Sequence, residues 1–236
     1  MMAKPDKSVL AAWSAHIFTA LGASAGCMAL FHVSMGDPKG AFLWLGLTLF
    51  IDGIDGTLAR KARVSEVLPG FDGATVDNII DYMTYVIIPA FIVYWEGLVP
   101  VGFWVTLAPV IMATVSVYHF GDEGHKTKDW YFKGFPALWN IVVFYLLMMN
   151  LSPNVCLGII LVCAACTFVP VKVVHPFRVA FLKRLNLTAT ALWGIGSFIM
   201  LISYPDIPMY AYALSLGGLG FLASVSLWRT LKGTDQ

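Results

Sequence analysis

Residues 52–81 read DGIDGTLARKARVSEVLPGFDGATVDNIID, and four acids in this stretch, Asp52, Asp55, Asp77 and Asp81, decide how the chain is understood. They sit inside segments that are otherwise apolar enough to be buried in a membrane. A charge at bilayer depth costs roughly 2.5–3.5 kcal/mol even on the most lenient scales. Four uncompensated charges would not persist there, so something must neutralise them, and that something points to the function.

The rest of the chain explains why bilayer depth is the right frame. Hydrophobic residues make up 58% of the 236 and charged residues 12%, against about 25% charged residues in a soluble domain. Mean hydropathy is +0.76. Apolar runs near the ~20 residues needed to cross a bilayer as a helix fall at about 11–33, 40–62, 74–96, 100–119, 135–150, 154–173, 188–204 and 208–228. The expected fold is all-α: a polytopic integral membrane protein with about eight transmembrane helices. It forms a single membrane domain over 1–236, with a catalytic helical hairpin at about 40–96. The net charge of +1 says little by itself, and no nucleic-acid partner is expected. The run at 11–33 is too long for a signal sequence and is read as a retained helix.

Eight spans place both termini on one side. Lys4, Lys7, Arg60, Lys61, Arg63, Lys126, Lys128, Lys133, Lys172, Arg178, Lys183, Arg184, Arg229 and Lys232 then share that side, and only Lys39 falls opposite. The excess of Lys and Arg makes that side cytoplasmic. Cys27, Cys156, Cys163 and Cys166 all lie in apolar runs, where a thiol acts as a small hydrophobe. Cys163 and Cys166 form a CxxC with no second pair to complete a zinc site.

Within the hairpin, positions 52, 55, 56 and 59 share one helical face, and 73, 77 and 81 share another. Asp52 lies eight residues before Arg60 and Asp81 eight after Gly73. At 1.5 Å per residue both outer carboxylates lie about 12 Å below the connecting loop. The two pairs reach matched depth and can converge just inside the cytoplasmic face. Carboxylates converging without His or Cys imply a hard, oxygen-loving cation such as Mg²⁺ or Mn²⁺, and four acids suit two ions better than one. Gly56 and Ala59 remove bulk from the same face, although either alone reads better as a helix-packing contact. Arg60 suits a phosphate, and Asp72 is placed to cap the third span's N-terminus, whose free N–H groups favour anions. Together these describe a diphosphate–metal site.

At these residues the chain resembles the CDP-alcohol phosphotransferases, whose signature is D-x2-D-G-x2-A-R, a variable gap, then G-x3-D-x3-D. All eight positions are present: Asp52, Asp55, Gly56, Ala59, Arg60, Gly73, Asp77 and Asp81. The twelve-residue gap between Arg60 and Gly73, Gly53, the span count and the sequence His175-Pro176-Phe177-Arg178-Val179 are similar to the bacterial branch that uses choline. The resemblance implies that CDP-diacylglycerol and choline give phosphatidylcholine and CMP, usually with Mn²⁺, in a bacterial inner membrane. It implies Asp52, Asp55 and Asp77 as metal ligands and Asp81 as both a metal neighbour and the general base. Asp52, Gly56, Ala59 and Arg60 would meet the CDP group. It also implies a homodimer. Direct attack of the choline hydroxyl on the β-phosphorus needs no covalent enzyme intermediate.

Choline's trimethylammonium donates no ordinary hydrogen bond, so aromatic faces should recognise it. Tyr85, and with it Tyr82, are the candidates on the hairpin; Glu123 or Asp122 could counter the cation. Arg178 is a candidate phosphate contact in a loop whose basic residues equally serve topology. His16, His32, His119 and His125 show no ligand spacing. Alternatives are the same chemistry on serine, inositol or glycerol phosphate, and, from another class, a cation-coupled transporter with essential intramembrane acids. Clustering of the acids in one hairpin without a second copy disfavours the transporter.

Overall fold

The computed structural model describes residues 6–122, 124 and 126–233. Asp6 caps the first helix, α1 (Lys7–Ser34), by accepting from the Ser8 N–H. Asp37 caps α2 (Pro38–Lys61), accepting from the Gly40 N–H at 2.8 Å. Pro38 stands in the first helical turn, where its missing donor is not needed. The other Asp37 oxygen meets His32 Nδ1 at 2.8 Å, tying the end of α1 to the start of α2. After α2 the chain turns through Arg63, which adopts the left-handed conformation (φ 49°), into the short α3 (Val64–Val67).

Asp72 then caps the next helix as the sequence suggests, accepting from the Ala74 and Thr75 N–H groups at 3.1 Å each. These bonds, with one from the Thr75 hydroxyl, hold its carboxyl below the usual carboxylate range. The helix runs continuously over Gly73–Trp95 in three parts: α4 (Gly73–Asp81), a π-helical turn (Tyr82–Ile87) and α5 (Ile88–Trp95). Pro89 has no N–H to return to the Tyr85 carbonyl, and its ring crowds that carbonyl. The wider π turn accommodates both effects. Such turns cluster at functional sites, and this one starts immediately after Asp81.

The remaining elements are α6 (Phe103–Gly121), β1 (Tyr131–Lys133), α7 (Trp139–Met148), α8 (Pro153–Cys166), β2 (Lys172–Val174), α9 (Lys183–Ser203) and α10 (Met209–Lys232). Among the described residues, six helices are long and apolar enough to cross a membrane: α1, α2, the Gly73–Trp95 helix, α6, α9 and α10. The chain is an all-α polytopic membrane protein. The other two expected spans are shorter helices. At 10 residues α7 rises only about 15 Å, and most of its side chains are buried against protein. Its lead-in, residues 135–138, is non-helical, a conformation tolerated at membrane depth only where protein covers it. The sixth run, expected to extend to residue 173, is helical only to Cys166; Pro170 follows, and 172–174 pair as a strand.

The Gly73–Trp95 helix is the central one, with half of its apolar window buried against 17–33% for the other five. Glycines on α1 let it approach. A Cβ at Gly22 would lie 3.0 Å from the Ile80 side chain, and one at Gly26 would collide with Met83 and Thr84. The outward apolar residues, such as Ile17, Phe50, Val117 and Leu227, are lipid-facing in a membrane.

At one end of the bundle β1 and β2 form an antiparallel ribbon with Phe132 opposite Val173. Hydroxyls of α10 hold the free edge of β2: Lys172 N donates to Thr230 Oγ1 at 2.8 Å and Val174 N to Ser226 Oγ at 3.0 Å. Arg229 Nε meets Asp129 Oδ2 at 2.8 Å beside them. The basic loops at 126–133 and 172–178 and the end of α10 therefore gather at one end. Lys39 lies at the other, donating to the Ile202 carbonyl.

Candidate active site

The last three turns of α2 and the start of α4 face each other, and their acids converge. One carboxylate oxygen from each of Asp52, Asp55 and Asp77 lies within 4.8 Å of the other two. Asp81, one turn deeper on the same face of α4 as Asp77, stands outside this tight group but within electrostatic reach of all three. Like charges this close repel by about 3–4 kcal/mol per pair at an effective dielectric constant near 20. Among the described residues, no Lys, Arg or His nitrogen approaches any of the four within 4.0 Å. Three oxygens without a close counter-cation fit a hard divalent ion.

One neutral partner is present. Tyr85, expected at the choline headgroup, donates its hydroxyl to Asp52 Oδ2 at 2.6 Å and is itself buried. The π turn sets where Tyr85 points. Tyr82 donates to the Ala113 carbonyl at 3.0 Å, and its ring meets Phe120 edge-on at 5.6 Å. It is anchored to α6.

Beside the acids opens a cavity of about 530 Å³, within the usual range for a small-molecule site. Six of the eight signature residues line it: Asp55, Gly56, Ala59, Arg60, Gly73 and Asp77. Asp52 and Asp81 do not. A side chain at Gly56 would come within 3.2 Å of Arg60 Nη1. Arg60 is braced from behind by a 3.0 Å bond from Nη2 to Thr57 Oγ1. Gly56 therefore leaves room for the guanidinium at the cavity wall.

The ribbon end supplies two cations: Arg178, a candidate phosphate contact from the sequence, and Lys126, which the sequence reading did not bring to the site. Lys126 and Arg178 both act electrostatically on Asp52, and Lys126 also acts on Asp77 and Asp81. Lys126 reaches there because it bridges to Phe132, its Nζ lying 5.3 Å from the Phe132 ring. That ring stacks on His175 at 5.5 Å and 9°. The Arg178 guanidinium lies 4.8 Å over the Trp130 ring. Burial, with Arg178 and Lys126 nearby, pushes His175 down to about 4. It is a neutral stacking partner near pH 7. Glu123 and His125 lie outside the described residues.

His16 lines the cavity from α1, and a histidine in an apolar span was the available signal for it. Lys126 had none: it is one charge among several in a polar loop, and it reaches the acids only through its bridge to Phe132, whose own strand partner is Val173.

Residues 12–171 match the family model described as CDP-alcohol phosphatidyltransferase. The chain is 41% identical to phosphatidylcholine synthase of Pseudomonas aeruginosa over 94% of its own length and 92% of that protein's. It is 40% identical to phosphatidylcholine synthase of Legionella pneumophila, covering 93% of this chain and 89% of the relative. A third phosphatidylcholine synthase, from Agrobacterium fabrum, is 40% identical over 85% of this chain and 83% of its own. With the signature acids meeting at one site and the match running through most of its length, the chain belongs to the CDP-alcohol phosphatidyltransferase family.

Proposed function

We propose that this protein transfers the phosphatidyl group of CDP-diacylglycerol to choline, forming phosphatidylcholine and CMP. The observation that carries the proposal is the meeting of Asp52, Asp55 and Asp77 from two helices within 4.8 Å. The similarity to named phosphatidylcholine synthases over more than 90% of the chain supports choline as the acceptor.

Asp52, Asp55 and Asp77 would hold Mn²⁺ or Mg²⁺, two ions with Asp81 bordering them, supplying Lewis-acid neutralisation of the diphosphate. The chain's own residues do the rest. Arg60, with Gly56 and Ala59 leaving space beside it, contacts the CDP phosphates. The Tyr85 hydroxyl orients Asp52. Asp81 takes the proton from the choline hydroxyl as its oxygen attacks the β-phosphorus. The bond from that phosphorus to the bridging oxygen breaks, and CMP leaves with the electron pair. Lys126 and Arg178, above the acids, add positive potential where the donor's phosphates enter.

The same reading puts the ribbon end, both termini and the active site on the cytoplasmic side of a bacterial inner membrane, in one membrane domain. It places the Tyr85 and Tyr82 rings near the trimethylammonium, and it takes the working unit to be a homodimer. The test is to incubate purified protein with CDP-diacylglycerol, Mn²⁺ and, separately, choline, serine, inositol and glycerol phosphate. Phosphatidylcholine and CMP in equal amounts from choline alone support the proposal. A different lipid product, or no product with metal present, overturns it. Tyr85→Ala should raise the choline KM strongly; an unchanged KM removes Tyr85 from the headgroup site.

A further inference from the structure

α10 packs against α9 and against β2, and one of its faces holds the ribbon. Ser226, Arg229 and Thr230 lie three and four positions apart, so they share that face. The two hydroxyls line the free edge of β2. Arg229, 6% exposed, reaches instead to the lead-in of β1. Its Nε donates to Asp129 Oδ2 at 2.8 Å, and its guanidinium lies 5.6 Å from the centre of the Tyr131 ring. Asp129 sits in a turn closed from both ends: the Thr127 N–H donates to the Tyr131 carbonyl at 2.8 Å, and the Tyr131 N–H to the Thr127 hydroxyl at 2.9 Å. Tyr131, Val174 and Val179 form with Val225 of α10 a small core separate from the main one. The ribbon is thus seated on α10.

Both cations that reach the acids hang from this clamped segment. Lys126 precedes the turn, its Nζ 5.3 Å from the Phe132 ring. Arg178 follows β2, its guanidinium 4.8 Å over the ring of Trp130, the neighbour of Asp129. A line of rings then leads to the acids. Phe132 meets His119 at 6.1 Å, His119 meets Phe120 at 5.7 Å, and Phe120 meets Tyr82, next to Asp81, at 5.6 Å. Lys126 and Arg178 both act electrostatically on Asp52. Where they stand is therefore set from α10, and a shift of about 1 Å from a distant change can alter catalysis strongly.

We propose that Arg229 is a positioning residue for donor binding: paired with Asp129, it seats the ribbon so that Lys126 and Arg178 stand where the diphosphate of the CDP-linked lipid enters. This rests on the reading that those two cations meet the donor's phosphates.

The test measures initial rates of the purified full-length protein with CDP-diacylglycerol, choline and Mn²⁺. Arg229→Met, which keeps the stem's packing, and Asp129→Asn should each raise the CDP-diacylglycerol KM about tenfold. The choline KM and kcat should stay within about twofold, the pattern of lost uniform binding. Arg229→Lys should recover part of the loss. Lys126→Met with Arg178→Met should raise the donor KM at least as far, and in that background Arg229→Met should add less than about twofold, because the groups it positions are gone.

An unchanged donor KM in folded Arg229 and Asp129 variants overturns the proposal. So does a loss that multiplies in full in the double background, or one that falls equally on kcat and choline KM, since either makes Arg229 a residue of the fold alone. A donor KM unchanged by removing Lys126 and Arg178 overturns it too, leaving Arg229 nothing to act through. Absence of phosphatidylcholine from the wild-type protein overturns instead the function on which all of this rests.

Discussion

Two pairs of helices in this molecule are rich in small residues and use them in opposite ways. Between α9 and α10, a side chain at Gly196 would run into Ser215 N and come within 2.9 Å of the Ala211 carbonyl. One at Gly218 would strike the Ala189 carbonyl and approach Trp193 N at 2.8 Å. These are contacts that draw two backbones together, as in many membrane helix pairs. Between α2 and α4 the small residues keep space open. Gly56 has only the end of the Arg60 side chain within 4 Å of its missing Cβ, and Ala59 lines the same cavity. The first pair is glue and the second is clearance, and four acids occur only beside the clearance.

The strongest way to break this contrast is to fill each pair. Gly196→Leu should leave no folded protein on size-exclusion chromatography, because backbone atoms cannot move aside. Recovery of a monodisperse, stable protein would show that α9 and α10 are not held by that contact. Next comes removal of charge at the clearance. Asp81→Asn should keep the fold and CDP-lipid binding while turnover falls by about 10²–10⁴-fold, the range for loss of a general base. Normal turnover would exclude Asp81 from that role.

Smaller effects sharpen the picture. Tyr85→Phe removes the bond to Asp52 and should lower kcat/KM about tenfold, the effect of one buried hydrogen bond, with the melting temperature nearly unchanged. A large stability loss instead would make Tyr85 a packing residue. The smallest effect belongs to Gly53→Ala. With open space around it, the change should leave activity within about twofold. It should stabilise α2 by roughly 0.5–1 kcal/mol through reduced backbone entropy, read as a small rise in melting temperature.

The four acids and the long spans were legible in the sequence for the same reason: charge within an apolar run is rare, and an apolar run of about 20 residues has few other uses in water. The boundaries at 135–173 were not, because hydropathy reports burial without saying whether lipid or protein covers the segment. Trp139 is fully buried and bonds Ser116 at 2.8 Å, yet its surroundings in the sequence look like any lipid-facing run. The ribbon was hidden for another reason. Three-residue strands carry no local periodicity, and Tyr131 and Val174 find each other only once the helices between them are packed.

By itself the sequence determined that this chain lives in a membrane and gathers acids on one hairpin, since both follow from transfer free energies and helical spacing that neighbours along the chain already set. Only the tertiary structure decided which groups complete the site. Tyr85 turns to Asp52 through a π-helical turn, Lys126 arrives on a ribbon, and His16 comes from the first helix to lie against Gly73. These partners are far apart along the chain, and distances between distant residues are fixed by packing, which no local pattern encodes.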